Sequence, residues 1–215
     1  AARLRSDLGA DVPLRAIFEE GTVAMLARRA VSRDASGTNA PHRPPSEVAR
    51  TPAGSAQALP RAQERLWFLE QVTPNESLFN LSAAFRLQGT LDRRALVRGL
   101  SDLVRDNEAL RTSVHLQDGE PRKRAHEDWE GTLVVDLSAL PVRLQPTTSE
   151  VLQHGERHRP FDLEHDTLLR PVLITCGPSD HVLNLTTHHI ACDAPSVELL
   201  MATLSANYTR HLQAP

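Results

Sequence analysis

Across residues 90–105 the apolar positions Leu96, Leu100, Leu103 and Val104 recur three and four apart, which places them on one face of a helix. Asp92 stands where an N-terminal cap belongs. The same period returns at Val197, Leu200, Met201, Leu204 and Tyr208, behind Pro195, a residue suited to a first helical turn. Elsewhere the period changes. Leu81, Ala83, Phe85 and Leu87 alternate as a half-buried strand does, and the runs 112–116, 132–137, 169–175 and 182–187 read as strands. Asp118-Gly119 and Gly177-Pro178-Ser179-Asp180 are turn signals between them. Pro60 opens a helix carrying Leu66, Trp67 and Leu69, and 148–158 predicts another. Trp67 and Phe68 are expected in the core, as large apolar rings usually are. Helices mixed with strands predict an α/β or α+β domain, and no internal repeat is visible.

The first 57 residues follow other rules. Leu14, Ile17 and Phe18, then Val23, Leu26 and Ala27, recur at helical spacing, with Gly9 and Gly21 as punctuation. Such short helices bury little by themselves, so 1–31 reads as the end of something larger. Residues 32–57 contain Pro41, Pro44, Pro45 and Pro52 and almost no large apolar side chain. A stretch like that cannot repay its ordering entropy, and it is expected to be a flexible linker that proteases cut first.

Composition narrows the function. Hydrophobic residues make up 40% of 215, enough for a sizeable core, and the net charge of −3 argues against nucleic-acid or anionic-membrane binding by bulk charge. Arg122-Lys123-Arg124 reads as a solvated strand or loop face. Two cysteines, Cys176 and Cys192, form no disulfide framework and suggest a reducing compartment. No apolar run reaches the ~18 residues a membrane span needs, and no apolar signal core opens the sequence, so the expected location is cytoplasmic.

The most unusual local run is His188-His189-Ile190-Ala191-Cys192-Asp193, where a strand gives way to a helix. Loops held by rigid elements are common places for catalytic groups, and an imidazole accepts a proton near neutral pH. Residue types alone leave alternatives. Adjacent histidines at a strand end can be polar turn residues. His189, Cys192 and Asp193 are possible metal ligands, although closed zinc sites recruit four ligands in spaced pairs and no second pair occurs. Neither a phosphate-binding glycine loop nor a Gly-x-Ser-x-Gly elbow is present.

The run from Leu185 to Ala194 resembles the HHxxxDG motif of condensation domains and of the wider chloramphenicol-acetyltransferase-like superfamily. Residues 62–69, Ala-Gln-Glu-Arg-Leu-Trp-Phe-Leu, resemble that family's opening motif SxAQxRLWxL. Glu108-Ala109-Leu110-Arg111-Thr112 resembles its second motif, and Arg159-Pro160-Phe161-Asp162-Leu163 with Leu168-Leu169-Arg170 its PFDL…PLLR stretch. All occur in family order across 58–215. Residues 12–19 and 22–24 are similar to the last helices of a peptidyl carrier protein. Three departures stand out: Ala194 replaces the motif's glycine, Asp106-Asn107 replaces Arg-His, and Pro60-Arg61 replaces Ser-x.

The resemblance implies a piece of a nonribosomal peptide synthetase, of the kind that makes secondary metabolites and antibiotics. Residues 1–31 would be the C-terminal helices of a carrier four-helix bundle without its attachment serine. Residues 32–57 would be a linker, and 58–215 the incomplete N-terminal lobe of a condensation domain, an α/β (α+β two-layer sandwich) unit. The implied reaction is amide formation between an upstream carrier's acyl or peptidyl thioester and a downstream carrier's aminoacyl amine. Its partners are the two carriers, with substrates on their 4'-phosphopantetheine arms, and an adjoining adenylation domain. No directly bound cofactor or metal is implied. His189 is the implied catalytic residue, as base or as positioner of the amine. His188 is implied to be structural, and Asp193 to form a buried ion pair with Arg111, whose loss would destabilise the fold. Ala194 lies in the active-site loop. Ester formation, epimerization or a non-catalytic docking role stay open, and the fragment alone is expected to be inactive.

Overall fold

The computed structural model describes residues 56–213 except 75, 128 and 130. The readings of 1–31 as carrier helices and of 32–55 as linker lie outside the described residues. The linker's expected last residue, Gln57, is paired in a strand.

In chain order the elements are β1 (Gln57–Ala58), α1 (Arg61–Val72), β2 (Asn80–Gln88), α2 (Arg93–Asp106), β3 (Thr112–Gln117), β4 (Glu120–Ala125), β5 (Leu133–Asp136), α3 (Gln145–His158), β6 (Leu169–Gly177), β7 (Asp180–His188) and α4 (Ala194–Gln213). A 3-10 turn, Glu108–Arg111, precedes β3. The main sheet has four strands in the order β2-β7-β6-β5. β7 pairs antiparallel with β2 and β6, whereas β5 runs parallel to β6. Parallel neighbours need a crossover, and α3 supplies it. A second, three-stranded sheet has the order β1-β4-β3. Its β3–β4 hairpin turns at Asp118 (φ 55°) and Gly119 (φ 80°), the left-handed pair that an Asp-Gly loop favours.

Alternation along β6 and β7 sends side chains to two faces. Leu169, Leu173, Leu183 and Leu185 meet Leu96, Leu100, Leu103 and Val104 of α2 and Leu200 and Leu204 of α4. Each such side chain contributes about 1.5–3 kcal/mol when removed from water. Asp92 caps α2 as expected, its Oδ1 accepting from Ala95 N at 2.9 Å. On the opposite face Val172, Ile174 and Val182 pack with Leu152 of α3. The α/β class stands: α2 and α4 pack on one face of the main sheet, and α3, in the crossover between β5 and β6, meets the other.

Of two further expectations, one holds and one is corrected in part. Arg122-Lys123-Arg124 lies on β4, a partly exposed strand paired on both edges, in keeping with a solvated strand face, with Arg122 2.7 Å from Glu120 and Lys123 3.9 Å from Glu108. Trp67 packs into the cluster of Val114, Phe161, Leu163, Leu168 and Ile190, whereas Phe68 is 61% exposed. Adjacent residues on a helix lie about 100° apart, so α1 turns Phe68 outward when Trp67 faces in.

Candidate active site

β7 ends at His188, and the chain turns sharply before α4 begins at Ala194. The His189 N–H donates to Phe79 O at 2.8 Å, continuing the β2–β7 ladder by one step. The Ala191 N–H donates to His188 O at 3.0 Å and closes the turn. An exposed histidine and a fully buried one therefore sit side by side.

His188 is 1% exposed, and Phe79 and Phe161 lie against it with ring centroids 6.0 Å away. Its Nδ1 accepts from the Ile190 N–H at 3.1 Å, so the ring's proton is on Nε2 and points at Glu70 Oε2, 3.4 Å away. Burial, with His189 and Arg170 nearby, pulls this imidazole down to about 4. Burial also raises the Glu70 carboxyl above its ordinary value, with Glu76 adding to it. His188 is held neutral, as one tautomer.

His189 presents its ring to the outside of the lobe, and Nδ1 lies 3.1 Å from Cys192 O. A carbonyl can only accept, so Nδ1 carries the proton and Nε2 keeps its lone pair. Among the described residues Nε2 has no hydrogen-bond partner. The tautomer is thus fixed by the loop itself, with the acceptor nitrogen outward.

Asp193 and Arg111 do not form the expected ion pair. Asp193 is exposed, and its Oδ1 accepts from Ser196 N at 3.0 Å and from Ser196 Oγ. These bonds lower its carboxyl below the usual range and make it the cap of α4. Arg111 donates from Nη1 to His126 O at 2.6 Å and from Nε to Arg105 O at 3.3 Å. It ties the end of α2 to the end of β4. The two residues belong to separate networks: Asp193 caps α4, and the Arg111 guanidinium is engaged by two backbone carbonyls. Ala194 is exposed at the start of α4, and Asp118 is the sole non-glycine residue with positive φ among the described residues. The backbone at Ala194 therefore makes no demand for the family's glycine.

Sequence reasoning left three contributors unassigned. Gln63 Nε2 of α1 donates to Ile190 O at 2.8 Å. Glu70, also on α1, meets His188. Arg170 of β6 places its guanidinium 3.7 Å over the Phe161 ring and donates to Arg159 O at 2.5 Å and Pro160 O at 3.1 Å. Gln63 and Arg170 lay within quoted motifs, so the signal existed. Glu70 carried none, since an acid late in a helix looks like surface. Cys176 and Cys192 are free thiols, and Cys192 is raised above its ordinary value by burial. Among the described residues no three His, Cys, Asp or Glu side chains group as metal ligands would, and no helix is long and apolar enough to cross a membrane.

Residues 55–214 match the family described as Condensation domain. Over 211 residues the chain is 34% identical to tyrocidine synthase 2 of Brevibacillus parabrevis, covering 96% of this chain and 5% of that protein. Over 208 residues it is 38% identical to isonitrile lipopeptide synthase of Mycobacterium tuberculosis, covering 95% of this chain and 8% of that protein. The chain therefore spans under a tenth of the length of these relatives. Among solved structures, the starter condensation domain of rhizomide synthetase RzmA superposes with a TM-score of 0.69 at 19% identity, over 74% of this chain and 38% of that one. That last likeness is one of fold.

Proposed function

The chain belongs to the condensation domain family of nonribosomal peptide synthetases, and from that premise we propose that its domain forms an amide bond between two carrier-bound substrates. The observation that supports this most is the His189 ring, whose Nδ1 is occupied by Cys192 O and whose Nε2 is left as an outward acceptor. An incoming aminoacyl amine donates a hydrogen bond to Nε2. As its nitrogen attacks the donor's thioester carbonyl, the C–N bond forms and the amine's proton passes to Nε2. The C–S bond then breaks, the proton goes to the departing thiolate, and the imidazole returns to neutral. The products are the extended amide and a free carrier thiol.

The donor and acceptor are proposed to ride on the 4'-phosphopantetheine arms of an upstream and a downstream carrier, with an adenylation domain adjoining, in the cytoplasm. Residues 1–31 are read as the tail of a carrier and those from 32 up to β1 as its linker, which the similarity of 12–19 and 22–24 to carrier helices supports. Residues 58–215 are read as the first lobe of a chloramphenicol-acetyltransferase-like architecture. His188, Arg111 and Asp193 are assigned supporting roles.

The test is His189→Ala in the complete synthetase with both carriers loaded. A fall in the condensation rate of roughly 10²–10⁴-fold, at unchanged melting temperature, is expected for loss of a base or positioning group. Condensation at the wild-type rate would transfer the role elsewhere and favour a docking-only domain.

A further inference from the structure

We propose that α1 (Arg61–Val72) is the positioning element for His189: Gln63 and Glu70 hold the residues on either side of it and so set the direction of its Nε2. The inference rests on the condensation reading and names residues that act through His189 without touching substrate.

The geometry is a two-point clamp. Gln63 and Glu70 are seven residues apart, which puts them on one face of α1, about 10 Å apart along its axis. At one end, Gln63 Nε2 donates to Ile190 O at 2.8 Å. At the other, Glu70 Oε2 lies 3.4 Å from His188 Nε2. Between these points three backbone N–H groups of the turn are engaged. The Ile190 N–H goes to His188 Nδ1, the Ala191 N–H to His188 O, and the His189 N–H to Phe79 O. The Cys192 carbonyl that receives the His189 Nδ1 proton lies directly beyond this turn. A shift of Ile190 or His188 therefore moves both the His189 backbone and the acceptor that fixes its tautomer.

The contacts are unequal in kind. Glu70 is 7% exposed and His188 1%, so their contact is shielded from water, where a hydrogen bond is electrostatically stronger. Gln63 is half-buried and neutral, and its bond spans 127 residues of sequence, so it can act only after the whole lobe has folded. Neither side chain is needed to build the sheet. α1 packs instead through Leu66 and Trp67, against the cluster that contains Ile190. Packing brings the helix to the loop, and the two polar contacts set the loop's register on it.

The test uses the complete synthetase with loaded carriers and compares Gln63→Leu, Glu70→Leu and Glu70→Gln with the wild type and His189→Ala. Misplacing a catalytic group by about 1 Å costs on the order of 10²-fold. Gln63→Leu and Glu70→Leu are expected to lower kcat by roughly 10- to 100-fold while KM for either loaded carrier stays unchanged. Glu70→Gln keeps an oxygen that accepts from His188 Nε2, and it is expected to recover most of the kcat lost in Glu70→Leu. If either Leu variant melts with the wild type, that variant reads kcat without interference from folding. The inference is overturned if both Leu variants retain wild-type kcat, if KM alone changes, or if Glu70→Gln is as impaired as Glu70→Leu. Failure of the condensation reading looks different: the wild-type synthetase forms no amide, or His189→Ala does not slow it.

Discussion

Two histidines adjacent in sequence differ here in burial and in what each ring nitrogen touches, and burial makes His188 the acid-sensitive one in stability. His188 is neutral in the fold and pulled down to about 4, against an ordinary 6.5 when unfolded. The unfolded chain therefore binds the extra proton between those values. The stability tied to neutral His188 is fully present above pH 6.5 and is lost as pH falls toward 4. The gap corresponds to about 3 kcal/mol. Glu70, raised by burial, works in the opposite direction, so the clean measurement is a difference. Denaturant unfolding of wild type and His188→Gln at about pH 7 and about pH 4.5 is expected to show a wild-type loss, on the order of 2–3 kcal/mol, that the variant lacks. Parallel losses in both would assign the acid sensitivity to other groups. Asp193 is a cap, so Asp193→Ala is expected to fray the first turn of α4 and lower the melting temperature slightly, while Asp193→Asn or Asp193→Ser retains it. A collapse of the fold in Asp193→Ala would restore the buried-pair interpretation. Sequence could point to this loop because the motif names its residues. It could not reveal the partner of Asp193, because capping by Ser196 and pairing with Arg111 are equally compatible with the letters.

At the scale of elements, legibility followed the strength of the hydrophobic period. α2 and α4 carry unbroken apolar stripes and were readable, as were β6 and β7, whose runs are buried on both faces. β4 was not. Its run Glu-Pro-Arg-Lys-Arg-Ala has no apolar alternation, and backbone pairing to β1 and β3 makes it a strand. α3 extends three residues earlier than 148–158 suggests, because Pro146 suits a first turn that the weak apolar pattern does not mark. Where two readable helices meet, a glycine sets their distance. A Cβ on Gly99 of α2 would lie 3.3 Å from Tyr208 N and 3.4 Å from Leu204 Cδ1 of α4. Asn207 Nδ2 also donates to Gly99 O at 3.2 Å across the same crossing. Gly99→Ala gains about 1 kcal/mol of helix propensity and loses a similar amount to crowding, so a net change near zero is expected. Gly99→Val adds two further methyl groups at the backbone of α4 and is expected to cost roughly 1–3 kcal/mol in chemical denaturation. Equal stability of the two variants would mean that α2 and α4 can part without loss.

On the scale of the whole molecule, the proposed site lies on an open surface of the described residues. His189 stands exposed on its loop, with Nε2 unpartnered among the described residues. Condensation needs an amine and a thioester carbonyl brought to about 3–3.5 Å of each other, and a surface that holds neither substrate supplies little of that. Pre-organised donors and acceptors also act most strongly where water is excluded, and an exposed imidazole competes with water for every proton it receives. The solved starter condensation domain that shares this fold is longer, and the chain covers 38% of it. The 215-residue chain, mixed with both loaded carriers, is therefore expected to form amide at least ~10³-fold more slowly than the complete synthetase, since positioning of this kind is worth that much or more. Adding His189→Ala to the isolated chain is expected to change nothing measurable, because a base without a held substrate has no step to accelerate. Product assayed by mass spectrometry over matched times gives both rates. Turnover by the isolated chain within about tenfold of the synthetase, abolished by His189→Ala, would show that this lobe gathers both substrates unaided.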